Sequence, residues 1–325
     1  IEVIGTAINP YVAREKIAKL KPDVLTLDLE MPRMDGLSFL SKLMKHYPLP
    51  VVVVSSLTPK NSENALTALR LGAIEVICKP GSAYSTQNIS REIVKAVRAA
   101  SMAKFDKSLQ LGEQKTAALN TGEVQSEVRL KQTTQKIIAI GASTGGTRAL
   151  EVVLTALPAN SPGIVVVQHM PPVFTSNFAK RLNTICSLEV KEAEDGDLIH
   201  TGRVLIAPGN YHMLVKKRGA KYYTQIKQGP PVHHHRPSID VLFNSVAKAA
   251  GVNATGIILT GMGSDGAKGL LAIKEEGAYT VAQDEDTSVV YGMPKVAKKI
   301  GAAVDVLPLQ EIAGNIIRQV KEEPV

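Results

Sequence analysis

The feature that most constrains this chain is a rhythm. Short runs of β-branched and leucine residues give way to polar or glycine-rich breaks, and then to stretches with apolar residues at helical spacing. In the first hundred residues the runs are Val24-Leu25-Thr26-Leu27-Asp28, Val51-Val52-Val53-Val54-Ser55 and the weaker Ala73-Ile74-Glu75-Val76-Ile77. Amphipathic stretches at Leu37–Tyr47 and Asn61–Leu71 lie between them. Parallel strands need a long crossover, and a helix supplies it, so this alternation predicts βαβ units. The rhythm returns further along. Strands are predicted at Ile137–Ile140, Ile164–Val167, Arg203–Ala207, Thr255–Thr260 and Tyr279–Ala282, and helices at Thr147–Leu157, Ser238–Ala250, Ala267–Glu276 and Met293–Ile300. Met213–Gln228 reads as a β-hairpin inserted on that frame. The predicted class is α/β, with a second doubly wound, mostly parallel sheet after the first.

The stretch from Ala99 to Lys136 breaks the rhythm. It is rich in Gln, Thr, Ser and Lys and weakly periodic, so it reads as a linker between a domain at 1–98 and another at 137–325. A length of 325 residues accommodates two domains. Thirty-eight basic against thirty acidic residues leave a net charge of +8. Trp is absent and aromatics are 4%, so the basic-aromatic interleaving of a nucleic-acid surface is missing. The densest basic patch, Lys216-Lys217-Arg218-Gly219-Ala220-Lys221, reads as a solvated hairpin tip. Two cysteines, Cys78 and Cys186, exclude a disulfide scaffold and fit a reducing compartment. No apolar run approaches the ~20 residues needed to span a bilayer, and no signal peptide is visible, so a cytoplasmic location is expected.

In open parallel sheets, chemistry gathers beyond the carboxyl ends of the strands. Asp28, Ser55 and Lys79 each end or follow a strand of the first half. Singly they read as a loop start, a helix cap and a solvated lysine. Together they suit a phosphoryl acceptor, where the acid attacks and the hydroxyl and ammonium hold the phosphate oxygens. Asp28-Leu-Glu-Met-Pro-Arg-Met-Asp-Gly-Leu, then Ser55-Ser-Leu, then Lys79-Pro80 resembles the receiver domain of two-component response regulators, a flavodoxin-like fold. The resemblance implies Asp28 as phospho-acceptor, Ser55 as switch hydroxyl, Lys79 as phosphate contact and a cis bond before Pro80. Receivers carry a Mg²⁺-holding acidic pair on their first strand. No such pair precedes Asp28 here, and Ile1–Thr6 reads as the second strand. The expectation is therefore a chain lacking its first βα unit, about 25–30 residues, with Mg²⁺ binding and phospho-control impaired. Val76 stands where receivers often place an aromatic switch residue.

In the second half, Ile137-Ile-Ala-Ile-Gly-Ala-Ser143-Thr-Gly-Gly146 is a buried strand running into a glycine-rich turn. Gly141-Ala-Ser143-Thr-Gly145 fits the G-x-S-x-G nucleophile elbow, while a dinucleotide loop of G-x-G-x-x-G type is the rival reading. The rival expects an acid at the end of the next strand. Here Gly163–Gln168 is followed by His169, an imidazole suited to general-base work, although a lone histidine also serves in packing. Asp265, after a third strand and among Gly261, Gly263, Ser264 and Gly266, is either a helix N-cap or the acid that orients the base. A serine, a histidine and an aspartate at three strand ends would make a hydrolytic triad. A response regulator whose second domain only binds a nucleotide or partner is the non-enzymatic alternative.

The motifs Gly-Ala-Ser143-Thr-Gly-Gly, Gln-His169-Met-Pro-Pro, His235-Arg-Pro-Ser-Ile-Asp-Val-Leu-Phe, Gly-Met262-Gly-Ser-Asp265-Gly-Ala and Tyr291-Gly-Met-Pro resemble the bacterial chemotaxis methylesterase family CheB. The likeness covers nearly the whole chain. It implies Ser143 as nucleophile, His169 as base, Asp265 as orienter and the Met262 N–H as oxyanion donor. Thr144 flanks the nucleophile, and Arg236 and Tyr291 lie in motifs near the cleft. It further implies hydrolysis of glutamate methyl esters and deamidation of glutamines on chemoreceptors, without a cofactor for the esterase. A histidine kinase would be the phosphodonor, the receptors the only route to the membrane, and an unphosphorylated receiver would obstruct the cleft. His233-His234-His235 is expected to be a loop leading into the helix at Ser238 rather than a metal site, because adjacent side chains diverge and no acid has ligand spacing.

Overall fold

The structure, a computed structural model, describes residues 1–31, 34–56, 58–79, 86–103 and 136–321. Most of the expected linker, at 104–135, and the bond expected to be cis before Pro80 lie outside the described residues.

The first half runs α1 (Pro10–Leu20), β1 (Leu25–Asp28), α2 (Gly36–His46), β2 (Val51–Ser55), α3 (Pro59–Arg70), β3 (Glu75–Cys78) and α4 (Thr86–Met102). The strands pair in parallel in the order β1-β2-β3, with Leu25 opposite Val51 and Val52 opposite Glu75. Val51, Val52 and Val53 are fully buried, as a central parallel strand covered on both faces requires. α1 begins at a legible signal: Asn9 accepts from the N–H groups of Tyr11 and Val12, and Pro10 fills the first helical position.

One expectation fails here. Ile1–Thr6 is not a strand, and Ile1 and Val3 are 73% and 78% exposed. Its β-branched pattern suits a strand, but it pairs with no described strand, and the Thr6 carbonyl accepts from Lys16 Nζ at 2.7 Å instead of from a neighbouring strand.

The second half runs β4 (Ile137–Ala142), α5 (Gly146–Thr155), β5 (Gly163–Gln168), α6 (Phe174–Ile185), β6 (Glu189–Glu192), β7 (Leu198–Ile199) and β8 (Arg203–Ile206). It continues with β9 (His212–Arg218), β10 (Lys221–Lys227), α7 (Ile239–Ala250), β11 (Ala254–Ile258), α8 (Ala267–Glu275), β12 (Tyr279–Gln283), α9 (Met293–Lys299), β13 (Asp305–Leu307) and α10 (Leu309–Lys321). Seven strands form one parallel sheet in the order β13-β12-β11-β4-β5-β8-β6. The hairpin β9–β10 joins β7 in a separate antiparallel sheet.

β4 is buried along its whole length. Ile138 and Ile140 face α5, α6 and α10 through Leu150, Leu154, Phe178, Leu182 and Ile312, while Ile137 and Ala139 face α7 and α8 through Leu242, Phe243 and Leu270. Each of these large side chains contributes about 1.5–3 kcal/mol on burial, so the middle of the sheet is the anchor of the domain. From β4 the chain steps to β5 on one side and later returns to β11 on the other. α5 lies on one face and α8 on the other, so a crevice opens at the carboxyl ends of β11, β4 and β5.

The two halves pack together. Phe174 of α6 belongs to the core of the first half, and Leu66 of α3 to that of the second. The Asn177 amide donates to Ser62 Oγ across the same helix pair.

Candidate active site

Ser143 follows the last residue of β4 and is clamped by its backbone. Its N–H donates to the Thr260 carbonyl at 3.0 Å, and its carbonyl accepts from Gly146 N at 2.7 Å and Gln168 Nε2 at 3.0 Å. The turn into α5 is made by Gly145, at φ +77° with Val289 packed so closely that a side chain there would collide. Ser143 itself needs no left-handed backbone.

His169 stands one residue past β5, and Asp265 lies in the loop between β11 and α8. The sheet order brings all three together. Ser143 Oγ lies 3.1 Å from His169 Nδ1, and His169 Nε2 lies 2.8 Å from Asp265 Oδ2. A carboxylate only accepts, so the imidazole proton sits on Nε2 and Nδ1 is the acceptor facing the hydroxyl. The ring thus presents its nitrogens in the reverse sense to the chymotrypsin arrangement, with the same division of roles.

Asp265 is 2% exposed and His169 is 6% exposed. Asp265 does not cap its own helix, which starts from Gly266. It caps α7 instead, accepting from the N–H of Ile239 at 2.8 Å, the N–H of Asp240 at 3.1 Å and Ser238 Oγ at 2.8 Å. Burial works against its charge, but the His169 hydrogen bond and the α7 N–H groups outweigh it and hold the carboxyl below its usual range. Burial also pushes the His169 imidazole below 6.5, against the pull of Asp265. The result is a neutral base beside a hydroxyl and a fixed negative charge behind it, the elements of proton abstraction from a serine.

Met262, in the same loop as Asp265, has a backbone N–H that donates to no described residue. Thr144 is buried, its carbonyl accepts from Thr260 Oγ1 at 3.0 Å, and its hydroxyl donates to Glu75 Oε2 at 2.8 Å. Tyr291 pairs its backbone with Gly261 at the base of the Met262 loop. Arg236 staples two loops, donating to Asn210 Oδ1 at 3.1 Å and to the Gly229 carbonyl at 2.6 Å. Its contacts are with those loops rather than with the Ser143 row.

Several residues at this place were given no role in the site by the sequence reading. His235 stacks on His169 with ring centroids 3.7 Å apart and an interplanar angle of 4°. Burial, His169 and Lys95 push its imidazole down to about 2. Ser238 stood in the sequence as a helix start and as part of the His235-Arg-Pro-Ser motif, with no role of its own. Glu75 and Lys95, the latter contacting His235 Nε2, come from β3 and α4 of the other half. The histidine run is a turn, as expected, with His233 and His234 at positive φ. Its spacing gave no acidic partner, yet α7 brings Asp240 Oδ2 within 3.0 Å of His233 Nε2, and a ligand atom of Asp265 completes a group within 4.8 Å. The carboxylates there are already taken by backbone N–H groups.

In the first half, β1, β2 and β3 bring Asp28, Ser55 and Lys79 to one edge. Lys79 Nζ lies 2.7 Å from Asp28 Oδ2 and 3.6 Å from Glu30 Oε2. The Asp28 hydrogen bond is the largest influence on the lysine and raises its pKa. Ser55 Oγ is buried with no partner among the described residues. Receiver domains in general use Mg²⁺ in phosphorylation. Among the described residues Asp28 and Glu30 bring two carboxylates to this edge, the number Mg²⁺ commonly takes from a protein alongside waters, with the Lys79 ammonium against both.

Two family models match the chain: CheB methylesterase over residues 138–316 and the response regulator receiver domain over residues 1–89. A protein-glutamate methylesterase/protein-glutamine glutaminase of Syntrophus aciditrophicus is 57% identical over 98% of this chain and 92% of its own length. One of Rhodospirillum rubrum is 53% identical over 98% and 91%. The crystal structure of the Thermotoga maritima CheB methylesterase catalytic domain matches 57% of this chain and 98% of its own, at 42% identity and a TM-score of 0.56. The chain therefore belongs to the CheB methylesterase family: it is an enzyme of the protein-glutamate methylesterase and protein-glutamine glutaminase class, with a response regulator receiver domain ahead of its catalytic half.

Proposed function

We propose that Ser143, His169 and Asp265 act as a catalytic triad on the γ-methyl esters of glutamyl side chains in chemoreceptors. Ser143 Oγ attacks the ester carbonyl carbon while His169 Nδ1 takes its proton. The backbone N–H of Met262 holds the developing oxyanion, an interaction of about 3–4 kcal/mol in measured oxyanion holes. As the tetrahedral intermediate collapses, the bond to the methoxy group breaks and His169 returns the proton to release methanol. Water then attacks the acyl-enzyme with His169 again as base, leaving a glutamate and the free serine. With a glutamine substrate the same steps release ammonia. Apart from substrate and the attacking water, these steps use side chains and backbone of this chain. The observation that carries the reading is the continuous hydrogen-bonded row of Ser143, His169 and Asp265 at three adjoining strand ends.

Residues 1–98 act as the regulatory domain, 99–136 as the linker and 137–325 as the catalytic domain. A histidine kinase supplies the phosphoryl group to Asp28, and Ser55 and Lys79 hold its oxygens. The contacts of Glu75 and Lys95 at Thr144 and His235 favour a receiver that restrains the esterase until phosphorylated. Among the described residues no helix is long and apolar enough to cross a membrane, in keeping with an enzyme that meets membranes through receptors in the cytoplasm.

The decisive measurement is methanol release from methylated receptor membranes by this chain and by Ser143→Ala. The variant should lose at least ~10⁴-fold in rate. Equal rates would discard the triad.

A further inference from the structure

Two side chains of the receiver half enter the catalytic crevice from separate elements. Lys95 of α4 reaches His235, which stacks on His169. Glu75, the first residue of β3, turns its carboxyl group to the Thr144 hydroxyl at 2.8 Å, one residue from the nucleophile. Beside Lys95 a cavity of about 350 Å³ is bounded by Ser90, Val94 and Lys95 of α4 and by Met262 of the catalytic loop. A carboxyl group enclosed between two domains is costly unless the place receiving it is built for one. Burial lifts the Glu75 carboxyl above its ordinary range, against the opposing effects of Thr144 and Lys95.

The group lodged there has a specific chemistry. The proposed reaction turns a γ-ester or γ-amide of a glutamyl side chain into a γ-carboxylate, and Glu75 presents that same γ-carboxyl group to the turn that carries Ser143. We propose that Glu75 is a built-in product mimic: in the closed enzyme it fills the subsite of the substrate's glutamyl side chain, and the Thr144 hydroxyl is the donor that recognises either occupant. This rests on the esterase reading and adds to it the identity of the group that competes with substrate. The receiver then restrains the enzyme by occupying a recognition site, in addition to standing in the way. Thr144 becomes a specificity-determining residue for glutamyl side chains.

The test follows Ser143 in the full, unphosphorylated chain with a fluorophosphonate probe. A short peptide bearing a glutamate side chain is the competitor, and the same peptide with norleucine is the control. Glu75→Ala should label about tenfold faster than the unaltered chain, the scale of one lost hydrogen bond. The glutamyl peptide should slow that labelling, while the norleucine peptide should not. In the unaltered chain, where the subsite is filled, the glutamyl peptide should have little effect. Glu75→Gln keeps the shape and the acceptor oxygen and should label at an intermediate rate. It decides the matter if Glu75→Ala does not fold. Labelling unchanged in both variants would overturn the proposal. Faster labelling that the glutamyl peptide leaves untouched would also overturn it, making Glu75 a closure contact only. If no form labels and methanol release equals that of Ser143→Ala, the esterase reading falls, and this proposal falls with it.

Discussion

Asp28 and Asp265 are the same residue at the carboxyl-end side of a parallel sheet, one closing β1 and the other in the loop after β11, and they are held in opposite ways. Asp265 is 2% exposed and has both oxygens taken, by His169, Ser238 and the N–H groups of Ile239 and Asp240. Asp28 is 38% exposed and is met by Lys79 and the backbone N–H of Glu30. A carboxylate saturated with donors is a fixed charge. It cannot reach an electrophile, but it can orient and stabilise an imidazolium. A carboxylate with a side open to solvent can attack one. The number of donors and the depth of burial, rather than the residue type, set the chemistry each aspartate suits.

The comparison breaks most visibly at Asp265. Asp265→Asn keeps the shape but turns an amide toward His169 Nε2. That favours the tautomer with its proton on Nδ1, facing Ser143, where an acceptor is needed. Methanol release should fall by roughly 10⁴-fold with substrate affinity little changed. A loss smaller than about tenfold would mean that Asp265 is a helix cap alone.

A second measurement sharpens the contrast through pH. Burial holds His169 and His235 below the 6.5 of a free imidazole, His235 at about 2. As pH falls below 6.5 the unfolded chain takes up these protons and the folded one resists. The stability they contribute is whole above that pH and drains away as pH falls toward the folded values. Each unmatched proton costs about 1.4 kcal/mol per pH unit. The thermal unfolding midpoint should therefore drop between about pH 7 and 5, and His235→Phe should flatten the fall. Because the raised carboxyls of Glu75 and Asp240 act in the opposite sense, the deciding comparison is between the two chains: a His235→Phe midpoint that follows the same pH course as the unaltered chain would contradict the buried, neutral pair. The depressed carboxyl of Asp265 belongs to a separate window, since its contribution is whole above 3.8 and is lost only at lower pH.

What could be read in advance divides along physical lines. β4, β5 and β11 were legible because a strand buried on both faces must be apolar throughout, and their ends carried Ser143, His169 and Asp265 in compact motifs. α6 was missed because its start carries no capping signal: Val173 precedes it at φ +73°, and no side chain caps its first turn. β6 was missed because, as an edge strand, it buries only Val190. Ile1–Thr6 was misread because β-propensity records fitness for a sheet and is silent on whether a neighbour exists. His235, Glu75 and Lys95 could not be found by spacing at all. The places of Glu75 and Lys95 are fixed by the packing of one domain on another, through Leu66, Phe174, Ser62 and Asn177, and that of His235 by the turn that leads into α7, and spacing encodes neither.

The smallest expected effect completes the comparison from the receiver side. The Lys79–Asp28 pair is close, at 2.7 Å, but its side chains are 31% and 38% exposed, so water competes for both charges and salt screens them. Lys79→Met should change stability by less than about 1 kcal/mol, read as a small shift in the unfolding midpoint that shrinks further in high salt. Removing one partner from a buried pair has a different signature, because the charge left behind has no solvent to turn to and the loss rises to about 3–5 kcal/mol. A large, salt-insensitive loss at Lys79 would place Asp28 in the same class as Asp265, and the distinction between an open and a saturated aspartate would not hold. A small loss leaves Asp28 as a carboxylate held loosely enough to be approached, which is the condition a phosphoryl acceptor must meet.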